Sequence, residues 1–472
     1  MITRELLPRA IPCIVPQIAH CVPAPSSAAR EPLDTEEVAT TPNLSLRSNL
    51  AWILSGNVVY AACQWGVIVS LAKLGNSFMV GQFSLGLAIS TPVLMFTNLH
   101  LRAVQATDAR RLYSFSEYLR LRIALTLVGL VAIAIITGFG NYERQTAMVI
   151  LAVALAKGIE TLSDIHYGLF QLNDRLDQSG RSMMLRGILS VGVLSTGLYV
   201  TRSVLWGCVG LALVWLAALL LFDVKRGCCL VADTRRFNQP AKFRRPWSLM
   251  RTAMPLGIAT TMAALNLNMP RYFIHSRLGE HQLGIYSAMA YTTVAMILVS
   301  DSLGHCAIPR LSRLYSAKRL VEYRSLLVKL LAAGGALGIA GLAVAHFMGV
   351  RLLTLVYGRE YTAHSPIFVV LILATAIYCV ACMFTSAITA ARCFRIQVPL
   401  YALVVGSNAL ACARWVPTSG LAGGAAAMVV AASVHLLLGA AVVGALLWAP
   451  AKPPANLQEP RRACVDVWEA SV

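Results

Sequence analysis

The run NLAWILSGNVVYAACQWGVIVSLA, residues 49–72, carries no charged side chain. At about 20 residues per crossing it is long enough to span the hydrocarbon core of a bilayer. Comparable apolar runs follow as far as Trp448 with only short polar breaks. They fall at 78–99, 121–139, 145–171, 183–200 and 203–222, then at 249–274, 283–305, 326–348, 365–391, 398–415 and 420–447. The spacing predicts an all-α integral membrane protein of twelve transmembrane helices in two blocks of six. Of the 472 residues, 57% are hydrophobic and 13% charged, where a soluble domain has roughly a quarter charged. That balance excludes a soluble globular protein.

The expected organisation is a tail at 1–48, a six-helix lobe at 49–222, a basic linker at 223–248, a second six-helix lobe at 249–447 and a tail at 448–472. Pro8, Pro12, Pro16, Pro23 and Pro25 break any apolar run in the first segment, so it reads as a disordered tail and not as a signal peptide. Loops after even-numbered spans hold about three times as many Lys and Arg residues as those after odd-numbered spans, which places both termini in the cytoplasm. The net charge of +19 then lies mainly on the inner face, where anionic lipid attracts it; nucleic acid is not needed to explain it. The twelve cysteines are scattered apart from Cys228/Cys229 and Cys379/Cys382. The second pair has metal-like spacing but sits in an apolar helix with no second pair and no nearby His, so packing is the expectation and no metal, cofactor or disulfide framework is foreseen.

The blocks repeat. Lys73-Leu74-Gly75 followed by Gly81-Gln82-Phe83-Ser84 recurs as Arg277-Leu278-Gly279 followed by Gly284-Ile285-Tyr286-Ser287, one residue shorter between the halves. Both copies fall between the first and second span of a block. An even number of spans per copy gives both the same orientation, a parallel repeat about an axis along the membrane normal. Two facing lobes of this kind suit alternating access. Segments outside the spans, the tails aside, are too short for a folded catalytic domain.

Charges at membrane depth face a cavity or a partner because lipid cannot solvate them. Lys157, Glu160, Asp164 and Gln171 share one face of the fourth span at 100° per residue. That face is either an internal Lys157/Glu160 salt bridge or the wall of a hydrated cavity. Asn57, Tyr60 and Gln64 share a face of the first span, and Thr261, Asn268, Arg271 and His275 one of the seventh; the repeat aligns Asn57 with Thr261 and Gln64 with Asn268. Interhelical packing through hydrogen bonds is the plainer alternative. His166, His305 and His435 read as satisfied interior or interfacial histidines, and Asp301 as paired with a basic loop.

Several stretches resemble the polysaccharide biosynthesis proteins of the oligosaccharide flippase type: SGNVVYAACQW at 55–65, AISTPVLMF at 88–96, LHLRAVQATD at 99–108, AKGIETLSDIHYGLFQLNDRLDQ at 156–178, LNMPRYFIHSRLGEHQLGIYSAMAY at 267–291, VYGREYTAHSPIF at 356–368 and GLAGGAAAMV at 420–429. Their order covers most of 49–447. The resemblance implies a transporter of the multidrug, oligosaccharidyl-lipid and polysaccharide exporter superfamily, with two six-helix lobes around a central cavity. It implies a polyprenyl-diphosphate-linked oligosaccharide as cargo, flipped across the cytoplasmic (inner) membrane for O-antigen, capsule or exopolysaccharide assembly. Membrane lipids, a polysaccharide polymerase and a chain-length regulator are the implied partners. Murein-precursor flippases usually carry two further C-terminal helices, which this sequence does not match.

On that reading the protein is not an enzyme. Lys157 and Arg271 contact the diphosphate, with Arg geometry the better match to phosphate oxygens. Asn57, Gln64 and Asn268 complete the substrate surface, and Glu160 and Asp164 couple an ion. The rivals are a cation-coupled exporter of drugs or metabolites on the same fold, a membrane-embedded glycosyl- or phosphotransferase, and a scaffold for a polymerase.

Overall fold

The computed structural model of the protein describes residues 46–106, 108, 113–235 and 246–448; of the tails expected at 1–48 and 448–472, residues 1–45 and 449–472 fall outside them, as do 236–245 of the linker expected at 223–248, while 46–48 and 448 are helical. Among the described residues there is no β-strand. The helices of the first half are α1 (Leu46–Leu74), α2 (Ser77–Asn98), α3 (Leu101–Ala106), α4 (Phe115–Phe139), α5 (Arg144–Leu172), α6 (Leu176–Thr201), α7 (Val204–Ala218) and α8 (Lys225–Arg235), with a π-helical turn Leu219–Val224 joining the last two. The second half holds α9 (Pro246–Thr292), α10 (Val294–Ser316), α11 (Leu320–Val356), α12 (Ser365–Ala390) and α13 (Phe394–Trp448).

Ten helical stretches among the described residues are long and apolar enough to cross a membrane, and two of them, Gly257–Ser316 and Ile396–Leu447, run to 60 and 52 residues. At 1.5 Å per residue these would extend about 90 and 78 Å, far beyond a hydrocarbon core of about 30 Å. Each therefore folds back once. α9 breaks at Gly279 (φ 81°) and α13 at Gly420 (φ 58°), conformations that a Cβ would strain. Counting each arm, twelve crossings result, in agreement with the sequence spacing.

Polar caps, and not hydropathy, set the starts of two helices. Ser114 and Glu117 form a reciprocal capping box, so α4 begins at Phe115 instead of 121. Asn76 accepts from the Met79 amide at 2.9 Å to start α2. The segment expected as a linker from residue 223 opens differently: the helix continues through the π turn into α8, and Asp223 is fully buried.

Within the first half α1 packs on α6 and α5 on α2, α4 and α7; within the second, α13 packs on α9 and α12, and α12 on α10 and α11. The main joint between the halves is α2 against α9. It is nearly symmetric. A Cβ on Gly81 would overlap the carbonyl of Glu280, and one on Gly284 would overlap the carbonyl of Ser77. Ser77 and Gly81 are the repeat partners of Glu280 and Gly284, so each half makes the same contact with the other, as a two-fold interface requires.

Candidate functional site

Side-chain hydrogen bonds cross between the halves near this glycine joint. Ser77 Oγ donates to Glu360 Oε1 at 2.6 Å, Thr146 Oγ1 to Glu280 Oε1 at 2.6 Å, and Trp65 Nε1 to the Tyr357 hydroxyl at 2.8 Å. Gln82 extends the second of these through Thr146 at 2.8 Å. Tyr272 donates to the Ala88 carbonyl. The two halves are thus fastened at the end where α1 meets α2.

Beside this joint, between the halves, lies a cavity of about 290 Å³. α1 contributes Gln64, α5 Lys157 and α9 Asn266, Asn268 and Arg271. Tyrosines and His435 complete the polar wall. The lining contains two fixed cations and no carboxylate.

Arg271 projects from the first arm of α9, where it donates to Asn268 Oδ1 and lies 5.1 Å from the Tyr291 ring centre. Its Nε is buried without a hydrogen-bond partner, and among the described residues no acid pairs with it. The amide nitrogen of Gln64 is likewise unsatisfied. Lys157 donates to Glu160 at 2.7 Å and lies 5.4 Å from the Trp215 ring centre. The structure therefore brings Lys157, Arg271, Gln64 and Asn268 to one cavity, while Asn57 is not among its lining residues. On the α5 face Lys157 makes the salt bridge with Glu160 and also lines the cavity.

Glu160 is held more firmly than the sequence suggested. Besides Lys157 it accepts from the Tyr60 hydroxyl, and Arg186 lies at 3.6 Å. Arg186 is 2% exposed and sits among three aromatic rings, Tyr60, Tyr167 and Trp215, at 5.2–5.6 Å. Asp164 pairs with Arg122 at 3.0 Å and Arg102 at 3.2 Å. Each acid assigned to ion coupling thus already has two cationic partners. Asp301 departs from its expected basic-loop pairing: it accepts from Cys382 Sγ at 3.1 Å. His435 bonds Thr385 at 2.9 Å.

Arg122 is fully buried, so removing Asp164 strands a charge and should cost about 3–5 kcal/mol. Asp164→Ala should accordingly lower the unfolding midpoint of the purified protein far more than Glu322→Ala, whose pair with Arg319 is more than half exposed and worth about 0–1 kcal/mol after solvent screening. Equal shifts in the two variants would remove the claim that Asp164 anchors α5.

Arg186 was missed although its signal was present. Ser179, Ser182, Arg186 and Ser190 recur at helical spacing and form one polar stripe along α6.

No family model matches the chain. The capsular polysaccharide biosynthesis protein CapF of Staphylococcus aureus is 28% identical over 330 residues, which is 68% of this chain and 80% of CapF. Among solved structures, a multidrug resistance MATE family transporter of the MOP superfamily in an inward-facing conformation superposes with a TM-score of 0.62 at 12% identity, over 84% of this chain and 100% of its own. The lipid II flippase MurJ, in an inward closed conformation, superposes with a TM-score of 0.64 at 12% identity, over 84% of this chain and 87% of its own. The chain thus has the all-α membrane fold shared by MATE-type transporters and MurJ, the superfamily fold that its sequence resemblance implied.

Proposed function

We propose that the protein is a membrane transporter that flips a polyprenyl-diphosphate-linked oligosaccharide by alternating access, for assembly of a surface polysaccharide. The observation that carries this is the charge of the cavity: Lys157 from one half, Arg271 from the other, and no carboxylate in the lining. A diphosphate needs such cations, whereas an exporter of cationic drugs would be repelled by them. Amides and tyrosines around the two charges suit sugar hydroxyls, and the polyprenyl chain stays in lipid. The likeness to CapF and to a lipid II flippase supports the same class of cargo. Lys157 and Arg271 grip the diphosphate, with Gln64 and Asn268 beside them. Asn57, outside the lining, is left to helix packing.

The excess of Lys and Arg supports a topology with the glycine joint on the outer face of the cytoplasmic membrane and both termini inside. On that topology the fastened joint corresponds to an inward-facing state. Cysteine labelling is expected to find Arg235 and Lys318 inside and Gly279 and Arg359 outside; an external Arg235 would reverse the assignment. In a strain lacking the protein, the lipid-linked oligosaccharide should accumulate on the cytoplasmic side. Normal surface polysaccharide in that strain would remove the proposal.

A further inference from the structure

Asp223 is fully buried in the first half; the Ser163 and Ser182 hydroxyls lie close to it, but neither of its carboxylate oxygens completes a well-formed hydrogen bond among the described residues. A carboxylate cut off from water and without a completed hydrogen bond is disfavoured as an anion. The one fixed cation facing it, Arg186, is already shared with Glu160 at 3.6 Å, which favours a neutral acid. Its placement is built: the π-helical turn Leu219–Val224 contains it, and the extra residue of such a turn changes the register of the following side chains, a device frequent at functional sites.

The groups facing Asp223 come from α5 and α6. From α5 these are Ser163, His166 and Tyr167; from α6, Ser182 and Arg186. α7 offers Trp215 and no titratable group at this point, while Lys225, Arg226 and Cys228 of α8 are exposed. Ser163 Oγ and two nitrogens of Arg186 are also buried without partners, so several unsatisfied polar atoms converge here. A metal cation is poorly served, because Arg186 adds a fixed positive charge and the facing side-chain oxygens are few. A proton requires no such cage.

The spot is connected on both sides. His166 lines a second, largely apolar cavity of about 580 Å³ together with Phe115, Leu162, Val224 and Cys228, and its ring also faces Asp223. In the other direction, Arg186 lies 3.6 Å from Glu160, which holds Lys157 at 2.7 Å in the central cavity. We propose that Asp223 is a proton-binding carboxylate of this protein, loaded through His166 from the cavity between α4, α5 and α8 and linked through Arg186 and Glu160 to Lys157.

The proton passes from water to His166 and from there to Asp223, giving a neutral acid; return of the proton by the same groups restores the anion. Lys157 is the point of contact with cargo, so this inference rests on the transport reading for its consequence, though not for the binding itself. Glu160 keeps Arg186 as counter-ion when an anion draws Lys157 away, and Asp223 is the carboxyl left to change its charge.

Infrared difference spectra of the full chain in lipid nanodiscs test this without any cargo. A carbonyl stretching band of a protonated carboxylic acid should be present at neutral pH, absent in Asp223→Asn, shifted in frequency in Asp223→Glu and retained in Glu160→Gln. Hydrogen–deuterium exchange at that band should slow at least tenfold in His166→Gln. A band unaltered by both Asp223 variants overturns the proposal, as does sodium-dependent stabilisation that Asp223→Asn abolishes, which would assign the spot to a metal ion. Exchange at the unmodified rate in His166→Gln overturns the route. Should Asp223→Asn fail to fold, the Asp223→Glu shift decides alone. Failure to flip the lipid-linked oligosaccharide would end the functional reading while leaving the band where it is.

Discussion

Gly81→Leu is expected to abolish transport while the protein still inserts and accumulates, and Gly284→Leu is expected to do the same. At both positions a side chain meets backbone on the opposing half and has nowhere to move. Overpacking of this kind costs about 1–3 kcal/mol or more, and each 1.4 kcal/mol changes a two-state ratio about tenfold. The strain falls only on the state in which the two halves meet here, so the equilibrium shifts toward halves parted at this end. Spin labels on α2 and on the second arm of α9 would read that shift as a longer distance. Gly138→Leu and Gly335→Leu are the controls, since a Cβ at either position meets nothing within 4 Å. Transport at the unmodified level in both joint variants would mean that the halves do not need to close at this end.

Arg271→Ala should reduce surface polysaccharide sharply. The guanidinium has no acid partner among the described residues and an unsatisfied Nε, so it is free to take an anion, and removing it deletes the charge that the second half brings to the cavity. Hydrogen bonds to a charged partner contribute about 1.5–3 kcal/mol, which corresponds to roughly tenfold to a hundredfold in affinity. Arg271→Lys should recover part of the loss, because it restores charge without the planar fork. Lys157→Ala should be milder, since Glu160 already engages that ammonium and cargo must compete for it. Normal polysaccharide in Arg271→Ala at native abundance would exclude a role in cargo binding.

The spans were legible because hydropathy reports burial in lipid directly. The fold-back of α9 was legible too, since the repeat aligned Gly279 with Gly75 at the α1–α2 turn. The joint itself was half visible: Gly81 and Gly284 were seen as equivalents, but one sequence does not reveal that equivalent residues touch across a two-fold axis. In the cavity, Gln64, Lys157, Asn268 and Arg271 were found because a polar group inside an apolar run is expensive unless it faces something polar. Asn57 obeyed the same rule and lies elsewhere, because helical phase gives a face without saying which neighbour covers it. Asp223 was hidden for another reason. It stands at the end of an apolar run beside Lys225 and Arg226, which reads as the start of a loop, and only the π turn carries it inward.

The central claim concerns what the cavity accepts, and reconstituted transport measures it most directly. Proteoliposomes of the full chain should move a labelled polyprenyl-diphosphate oligosaccharide between leaflets, with Arg271→Ala at least tenfold slower and with no transport of a cationic dye of similar headgroup size. Uptake of the cationic dye, together with a diphosphate-linked sugar that stays in its leaflet, would contradict the account and make the protein an exporter of cations on the same fold.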